Sequence, residues 1–574
     1  MEIFVLKSEE IASITRATHG NPHHILGMHM CLKDCIVNAY MPGAAGVSVM
    51  DGDQEYPMNE VGAQGFFTVR IPDREAFAYK LRITRRIWGE SGEEDEIYDP
   101  YSFGYSVDLE DVMKVVSGED DIESGFHVKE LFGARKTVLE GISGVSFCMN
   151  MPGAARVSVV GDFNGWDGRV NPMRRIDYTD MFELFIPGDL TNTRYKFEAL
   201  YRDGNVDIFA DPYAVAYEVA PGNASLLTEL EYSWKDEAYL KNRKKNHGVN
   251  IYEVHMPTWK SPADGERISY AEFGGDIAAY VKSMGYNYIQ FMPLMEYRDD
   301  DGWGYDTVGM FAPTSRFGTP VDFMAMIDML HGKGIGVIMD MVSVSDVDCL
   351  AYWIDTYHLD GIRLEDEDLV REFRSVTGDR YSDVLVGLGW NNAAVDRVTD
   401  YMMIPPSSRG SFVDYTCGIP FSEKDTSVWA MSHDAVAGQR GSYASKMPGG
   451  YEDKYADLRM LFGLVMTLPG RKLTFMGQEL GGFGGFDGRS VIDWSVLEFD
   501  ANSYFQKYVK ELNKLYSTKP ALYGDTDEDV AFSEDGQVMS FVRHGGDARD
   551  DLYVVCNFGL KNVSDYELTV AQDG

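Results

Sequence analysis

Residues 321–342, VDFMAMIDMLHGKGIGVIMDMV, decide how the larger part of this chain folds. VDFMAMIDMLHGKG reads as a helix-like segment that ends at glycine, the usual helix stop, and IGVIMDMV reads as a fully apolar strand. The same alternation runs outward in both directions. VNIYEVHM (249–256) and NYIQFMPLM (287–295) are further short apolar runs, and IAAYVKSMG (277–285) is another segment closed by glycine. Apolar strands separated by amphipathic helices predict a parallel sheet covered by helices. DGIRL, DVLVGL, SVWAMS and KLTFMG supply more candidate strands, and that number over some 270 residues fits an eight-stranded TIM-type (β/α)8 barrel better than an open sheet.

Upstream of residue 248 the pattern is different. MPGAAGVSV at 41–49 returns as MPGAARVSV at 151–159, and 151 − 41 gives an offset of 110. FFTVRIPD (66–73) answers FELFIPGD (182–189), YKL (79–81) answers YKF (195–197), and YDPY (98–101) answers ADPY (210–213). Alternating apolar residues and Pro/Gly turns mark both copies as antiparallel, predicting two tandem N-terminal β-sandwiches. After about 516 the chain returns to strands, VAFSE, VMSFVRH, LYVVCNF and YELTV, predicting a short C-terminal β-domain. The expected boundaries are 1–115, 116–235, 236–515 and 516–574.

The 574 residues carry 52 lysines and arginines against 91 acids, and 52 − 91 gives −39. Such a surface repels phosphate backbones and anionic headgroups, which disfavours nucleic acid and membranes and suits a neutral ligand. Six cysteines in a chain of this length make no disulfide framework. Cys31 and Cys35, read as one extended strand, would lie about 13 Å apart, too far to bridge. No pair has metal-ligand spacing, the N-terminus lacks a signal-peptide pattern, and no window approaches twenty apolar residues. The expectation is a reduced, cytoplasmic protein without a metal or cofactor.

Several strings then carry a family resemblance. NPHHILGMH (21–29), VSVVGDFNGWDGRVNPMR (157–174), IYEVHMPTW (251–259), GWGYDTVGMFAPTSRFGTPVDF (302–323), MSHDAV (431–436) and KLTFMGQELGG (472–482) occur in one collinear order. In them the chain resembles the glycogen (1,4-alpha-glucan) branching enzymes of the alpha-amylase superfamily. The resemblance implies an N-terminal β-domain, a glycogen-type carbohydrate-binding module, a barrel and a C-terminal β-sandwich. It also implies an α-glucan ligand (glycogen, amylose or starch) and retaining transfer of α-1,4-glucan segments to form α-1,6 branches.

Retaining transfer needs two carboxyl groups about 5–5.5 Å apart. In the family the nucleophile is the Asp closing a D-G-x-R-x-D strand; here that strand is Asp360-Gly361-Ile362-Arg363-Leu364-Glu365, with Glu365 at the nucleophile position. Arg363, which orients the nucleophile in the family, is kept. The acid/base position falls on Gly389, within VLVGLGWNNAAV (384–395), which holds no carboxylate. The strand-three motif beginning at Asp340 ends in Ser345 where the family has a substrate-binding His. The chain then passes from Asp346 almost straight into CLAYWIDTYHLDGIRL, without the family's donor loop. His433 and Asp434 match the His-Asp pair that stabilises the transition state, and Tyr305 matches the tyrosine under the donor sugar.

Each residue also has a purely structural reading. His433 and Asp434 would fix a barrel loop, Tyr305 would pack the mouth, and Asp340 would cap a loop. Arg363 would pair with Glu365, Trp166 of DFNGWDG would fill the sandwich rather than stack on sugar, and the run 365–368 would be a solvated face. The expectation is therefore a branching-enzyme relative that binds α-glucan with weak or lost activity. The alternatives are an active glucan transferase or hydrolase recruiting Asp366 or Glu367, a non-catalytic partner-binding or regulatory protein, and, weakest, a debranching relative.

Overall fold

The computed structural model describes residues 6–568, apart from 63–64, 86–91, 118–127, 244–247, 262–266, 388–389, 391, 411, 413–427, 524–527, 533–535, 547 and 565. The chain divides into two compact units, Met1–Leu230 with Val308–Ser315, and Glu231–Thr307 with Arg316–Gly574.

In the first unit the sequence repeat becomes a structural one. Strands Gly27–Cys31, Asp34–Tyr40, Phe66–Ile71 and Asn59–Glu60 form one antiparallel four-stranded sheet, and Ala44–Asp51, Gln54–Pro57, Lys80–Arg85 and Glu94–Tyr98 form another. Val37, Val49, Phe67 and Leu81 fill the core they share. The second copy builds a sheet from Gly133–Leu139, Ile142–Asn150, Met181–Pro187 and Arg174–Arg175, facing one of Ala154–Gly161, Arg194–Tyr201 and Val206–Phe209. Its core includes Phe147, Val157, Leu184 and Phe197. Even the irregularities repeat. A β-bulge between Ala44 and Gly46 recurs between Ala154 and Arg156, at the same offset of 110 as the sequence repeat.

The YK and DPY strings explain themselves here. Tyr79 Oη donates to Asp99 at 2.6 Å, and Tyr195 Oη donates to Asp211 at 2.6 Å. Each aspartate also accepts the backbone N–H two residues on, from Tyr101 at 3.0 Å and from Tyr213 at 2.8 Å. Burial lifts the Asp99 carboxyl to about 6 in spite of these donors, and burial likewise raises that of Asp211. A polar pair that is fully satisfied holds one strand end in each copy.

Cys31 and Cys35 do not share an extended strand. They stand on the two strands of a hairpin with a two-residue turn, Cys31 opposite Asp34 and Met30 opposite Cys35, and neither is in a disulfide. The turn residue Leu32 sits at φ +60, a conformation that neither glycine nor asparagine advertised in the sequence.

In the second unit seven parallel strands are described: β1 Asn250–Val254, β2 Tyr288–Phe291, β3 Gly336–Asp340, β4 Gly361–Arg363, β5 Leu385–Val386, β6 Val428–Met431 and β7 Arg471–Phe475. Their order is β5-β4-β3-β2-β1-β7-β6. A single parallel bridge between Trp390, just past β5, and Val428 of β6 joins the two edges. The described ring therefore has seven strands rather than the expected eight, with the chain after β5 meeting β6 directly. Ile251, Tyr288, Ile338, Val428 and Leu473 pack inside it.

The helices follow local rules. Tyr270–Met284 begins at a capping box in which Ser269 Oγ accepts the Glu272 N–H and the Glu272 carboxylate accepts the Ser269 N–H. It stops at Gly285, φ +84. Pro320–Gly332 starts from the equivalent Thr319–Asp322 box. Val347–Tyr357 begins immediately after Asp346, whose side chain caps it, so no donor loop intervenes.

After the barrel, helix Asp500–Thr518 includes residue 516, and Glu528–Phe532, Val538–Arg543 and Leu552–Asn557 form a three-stranded antiparallel sheet. Of YELTV, Tyr566–Leu568 is not strand, and the remainder lies outside the described residues. No described helix is long and apolar enough to cross a membrane, and the described residues hold no cluster fit to bind a metal.

A buried charge cluster closes the end of the barrel opposite the strand C-termini. His331 Nδ1 lies 2.8 Å from Asp236 and Nε2 lies 2.9 Å from Asp360, the residue that opens β4. Both nitrogens meet carboxylates, an arrangement that favours a proton on each and hence an imidazolium. Burial opposes that charge, but hydrogen bonds to Asp236 and Asp360 hold the His331 pKa above its ordinary value. Tyr239 stacks on this ring at 4.3 Å, and Trp234 stacks at 3.9 Å on His358, a second partner of Asp236.

Candidate active site

The C-terminal ends of β1, β3, β4 and β6 converge on one hydrogen-bonded chain. Glu253, on β1, is fully buried in a strand buried along its whole length, and its two oxygens accept the His433 backbone N–H at 3.0 Å and Nδ1–H at 2.7 Å. Burial disfavours a charged His433, yet Glu253 overrides it and the imidazole pKa is raised. His433 Nε2 lies 3.3 Å from Tyr305 Oη, which donates to Asp340 Oδ2 at 2.8 Å. Asp340 also receives Arg363 Nη1 at 2.6 Å. Burial raises the Asp340 carboxyl in spite of that guanidinium. Arg363 Nη2 in turn pairs with Glu365.

The sequence-derived residues Tyr305, Asp340, Arg363, Glu365 and His433 are thus in one network, with Asp434 at its rim, 3.4 Å from His433 Nε2. Burial divides them sharply. Asp340 is 0% exposed, whereas the Glu365 side chain is 69% exposed and that of Asp434 is 47% exposed. Asp340 is thus committed to Tyr305 and Arg363 below the surface. Gly389, which the resemblance places at the acid/base position, lies outside the described residues.

Two contributors were not singled out from sequence. Glu253 stood within IYEVHMPTW, and its signal was an acid inside a strand that should be buried on both faces. Trp390 gave no such signal. Its ring lies 3.6 Å from the Arg363 guanidinium carbon and 5.8 Å from the His433 ring, roofing the network. Beside it an open cleft of about 440 Å³ is lined by Arg363, Glu365, Glu367, Arg371 and Trp390.

Asp366 does not face this cleft as a reactive group. It caps helix Glu367–Thr377, accepting the N–H groups of Asp368 and Leu369. Ser345 is exposed just before the helix at Val347. Trp166, in the first unit, sits in a tight turn at φ +62, donates Nε1–H to Asp162 at 3.2 Å and stays 39% exposed, so it is not sandwich filling.

Residues 7–101 match the profile of the N-terminal domain of the alpha-1,4-glucan branching enzyme GlgB, 131–214 that of carbohydrate-binding module 48 (isoamylase N-terminal domain), and 276–355 that of the alpha amylase catalytic domain. The 1,4-alpha-glucan branching enzyme GlgB of Gloeobacter violaceus is 31% identical over 98% of this chain and 91% of its own length. That of Paramagnetospirillum magneticum is 30% identical over 99% and 90%. Among solved structures, a putative alpha amylase from Salmonella typhimurium superposes with TM-score 0.59 at 17% identity, over 76% of this chain and 95% of its own. Apo pullulanase from Paenibacillus barengoltzii gives 0.60 at 17% identity, over 75% and 87%. At that identity the two structures speak for the fold alone.

Proposed function

The chain belongs to the family of 1,4-alpha-glucan branching enzymes, and from that premise we propose that it binds α-glucan while its transfer of glucan segments to 6-hydroxyls is weak or lost. The observation that carries this reading is the disposition of carboxylates around Arg363. Glu365 lies on the open side, 69% exposed, and Asp340 is sealed beneath. The chain supplies glycine at 389, where the acid/base would stand. Losing a general acid costs typically 10²–10⁴-fold. A nucleophile lengthened by one methylene and displaced by about 1 Å costs about 10²-fold more. Among the described residues five buried cysteines form no disulfide, which fits a reduced, cytoplasmic setting.

The binding half of this reading rests on the carbohydrate-binding module and the half-exposed Trp166 ring. Neutral sugars bind by aromatic contact and hydrogen bonds, which an acidic surface tolerates. Trp166→Ala is expected to weaken retention on immobilised amylose severalfold, while Glu365→Gln leaves it unchanged. Equal retention of Trp166→Ala and the parent would remove Trp166 from the binding surface. Maltoheptaose incubated with the protein should release reducing ends no faster than a buffer control; steady release would contradict the reading.

Restoring carboxylates alone should not restore transfer. Glu365→Asp with Gly389→Glu is expected to leave branching on amylose within about tenfold of the parent, equivalent to some 1.4 kcal/mol. Catalytic groups need placement to about 0.5 Å by supporting neighbours. Here Ser345 replaces the family's histidine, and the helix at Val347 stands where the donor loop would begin. A larger rise would show a scaffold still poised for chemistry.

A further inference from the structure

We propose that Tyr451 and Phe483 form a second glucan-stacking platform on the barrel, separate from the mouth and from Trp166; the ligand class rests on the glucan-binding reading above. The two rings are 49% and 44% exposed, with centroids 6.1 Å apart and planes tilted by 43°. Such area of aromatic surface is costly to leave in water, and here it is held in place rather than left loose.

The support is Tyr455, one turn along helix Tyr451–Thr467, which is 3% exposed and contacts both rings at 5.1 and 6.2 Å. Its hydroxyl donates to Gly481 O at 2.9 Å, pinning the loop that carries Phe483. Phe505, fully buried, backs Tyr455 at 6.2 Å. The far end of the loop is tied by two backbone bonds, Phe486 N–H to Val436 O at 3.0 Å and Gly438 N–H to Phe486 O at 2.8 Å. Glycine stands on either side of Phe483, at 482 and 484. A Cβ at Gly482 or Gly484 would meet nothing within 4 Å, so the backbone on both sides of Phe483 borders open space.

The chemistry around the pair selects a neutral polyol. Glu452 and Asp453 are exposed beside Tyr451, and the chain as a whole is at −39. Carboxylates accept hydrogen bonds from sugar hydroxyls and repel phosphate or anionic lipid. Two preformed aromatic faces present large area at little entropic cost, which suits successive rings of an α-1,4-linked chain. The loop follows the C-terminal end of β7, the same end of the barrel as His433.

Affinity electrophoresis of the full-length protein in native gels with and without amylopectin tests this. The parent, Trp166→Ala, Tyr451→Ala/Phe483→Ala and Tyr451→Phe are compared, with melting curves as the check on folding. The double variant is expected to be retarded about two- to tenfold less strongly than the parent, and Tyr451→Phe, which keeps the ring, to match the parent. Parental retardation of the double variant would overturn the platform while leaving glucan binding through Trp166 standing. A parent that is not retarded at all would overturn both. A parent that elutes as a dimer on gel filtration, with a monomeric double variant of unchanged retardation, would assign the surface to a second copy instead.

Discussion

Replacing His331 by alanine should destabilise the barrel by about 3–5 kcal/mol, the cost of leaving a buried ionic partner uncompensated. Asp236 and Asp360 have side chains 1% and 0% exposed and both rely on this ring. Asp360 also accepts the Val337 N–H at 2.7 Å and meets Arg243 at 3.4 Å, so its displacement would disturb β3 and β4 together. The effect has a pH signature. The folded-state pKa of His331 is raised, so its contribution is complete below the ordinary imidazole value of 6.5 and is lost as pH rises through the folded value. Chemical denaturation of parent and variant across pH should show the gap widest in mild acid and narrowing in alkali. A gap that is small, or equal at every pH, would contradict the imidazolium assignment.

Arg363→Leu should be nearly as costly, again about 3–5 kcal/mol, because Asp340 would keep a buried charge with only the Tyr305 hydroxyl and the Val342 N–H to meet it. Adding Asp340→Asn should recover part of the loss, since an amide oxygen still accepts from Tyr305 and carries no charge. By contrast Glu365→Gln should change stability by less than about 1 kcal/mol, as expected for an ion pair on the water side. If Glu365→Gln proved as damaging as Arg363→Leu, the division of this network into a sealed structural half and an open half would be wrong.

The family and most of the architecture were legible because they are written in local pattern. The repeat of 110 residues foretold two sandwiches, and in the structure a bulge recurs at matching positions as well, since bulge, turn and apolar alternation are properties of short segments. The strand ends carrying Asp340, Arg363 and His433 followed from apolar runs and glycine stops. What escaped was pairing across sequence. Trp390 covers Arg363, 27 positions earlier, and Glu253 serves His433 from 180 positions away; periodicity reports that a residue is buried but not by what. The ring of seven described strands escaped for the same reason, because Trp390 meeting Val428 is a long-range event. The Cys31–Cys35 hairpin was misread because Leu32 adopts a positive φ without a glycine to announce it.

The proposed loss of branching can be tested on the new linkage itself. Amylose is incubated with the full-length protein, and α-1,6 anomeric protons are quantified by NMR against an equal concentration of an active branching enzyme. With glycine at position 389 and an exposed Glu365 as the open carboxylate on Arg363, the rate should fall at least about 10²-fold below that enzyme. Accumulation of α-1,6 linkages within about tenfold of it, a deficit of only some 1.4 kcal/mol, would show that the site still performs the family's chemistry.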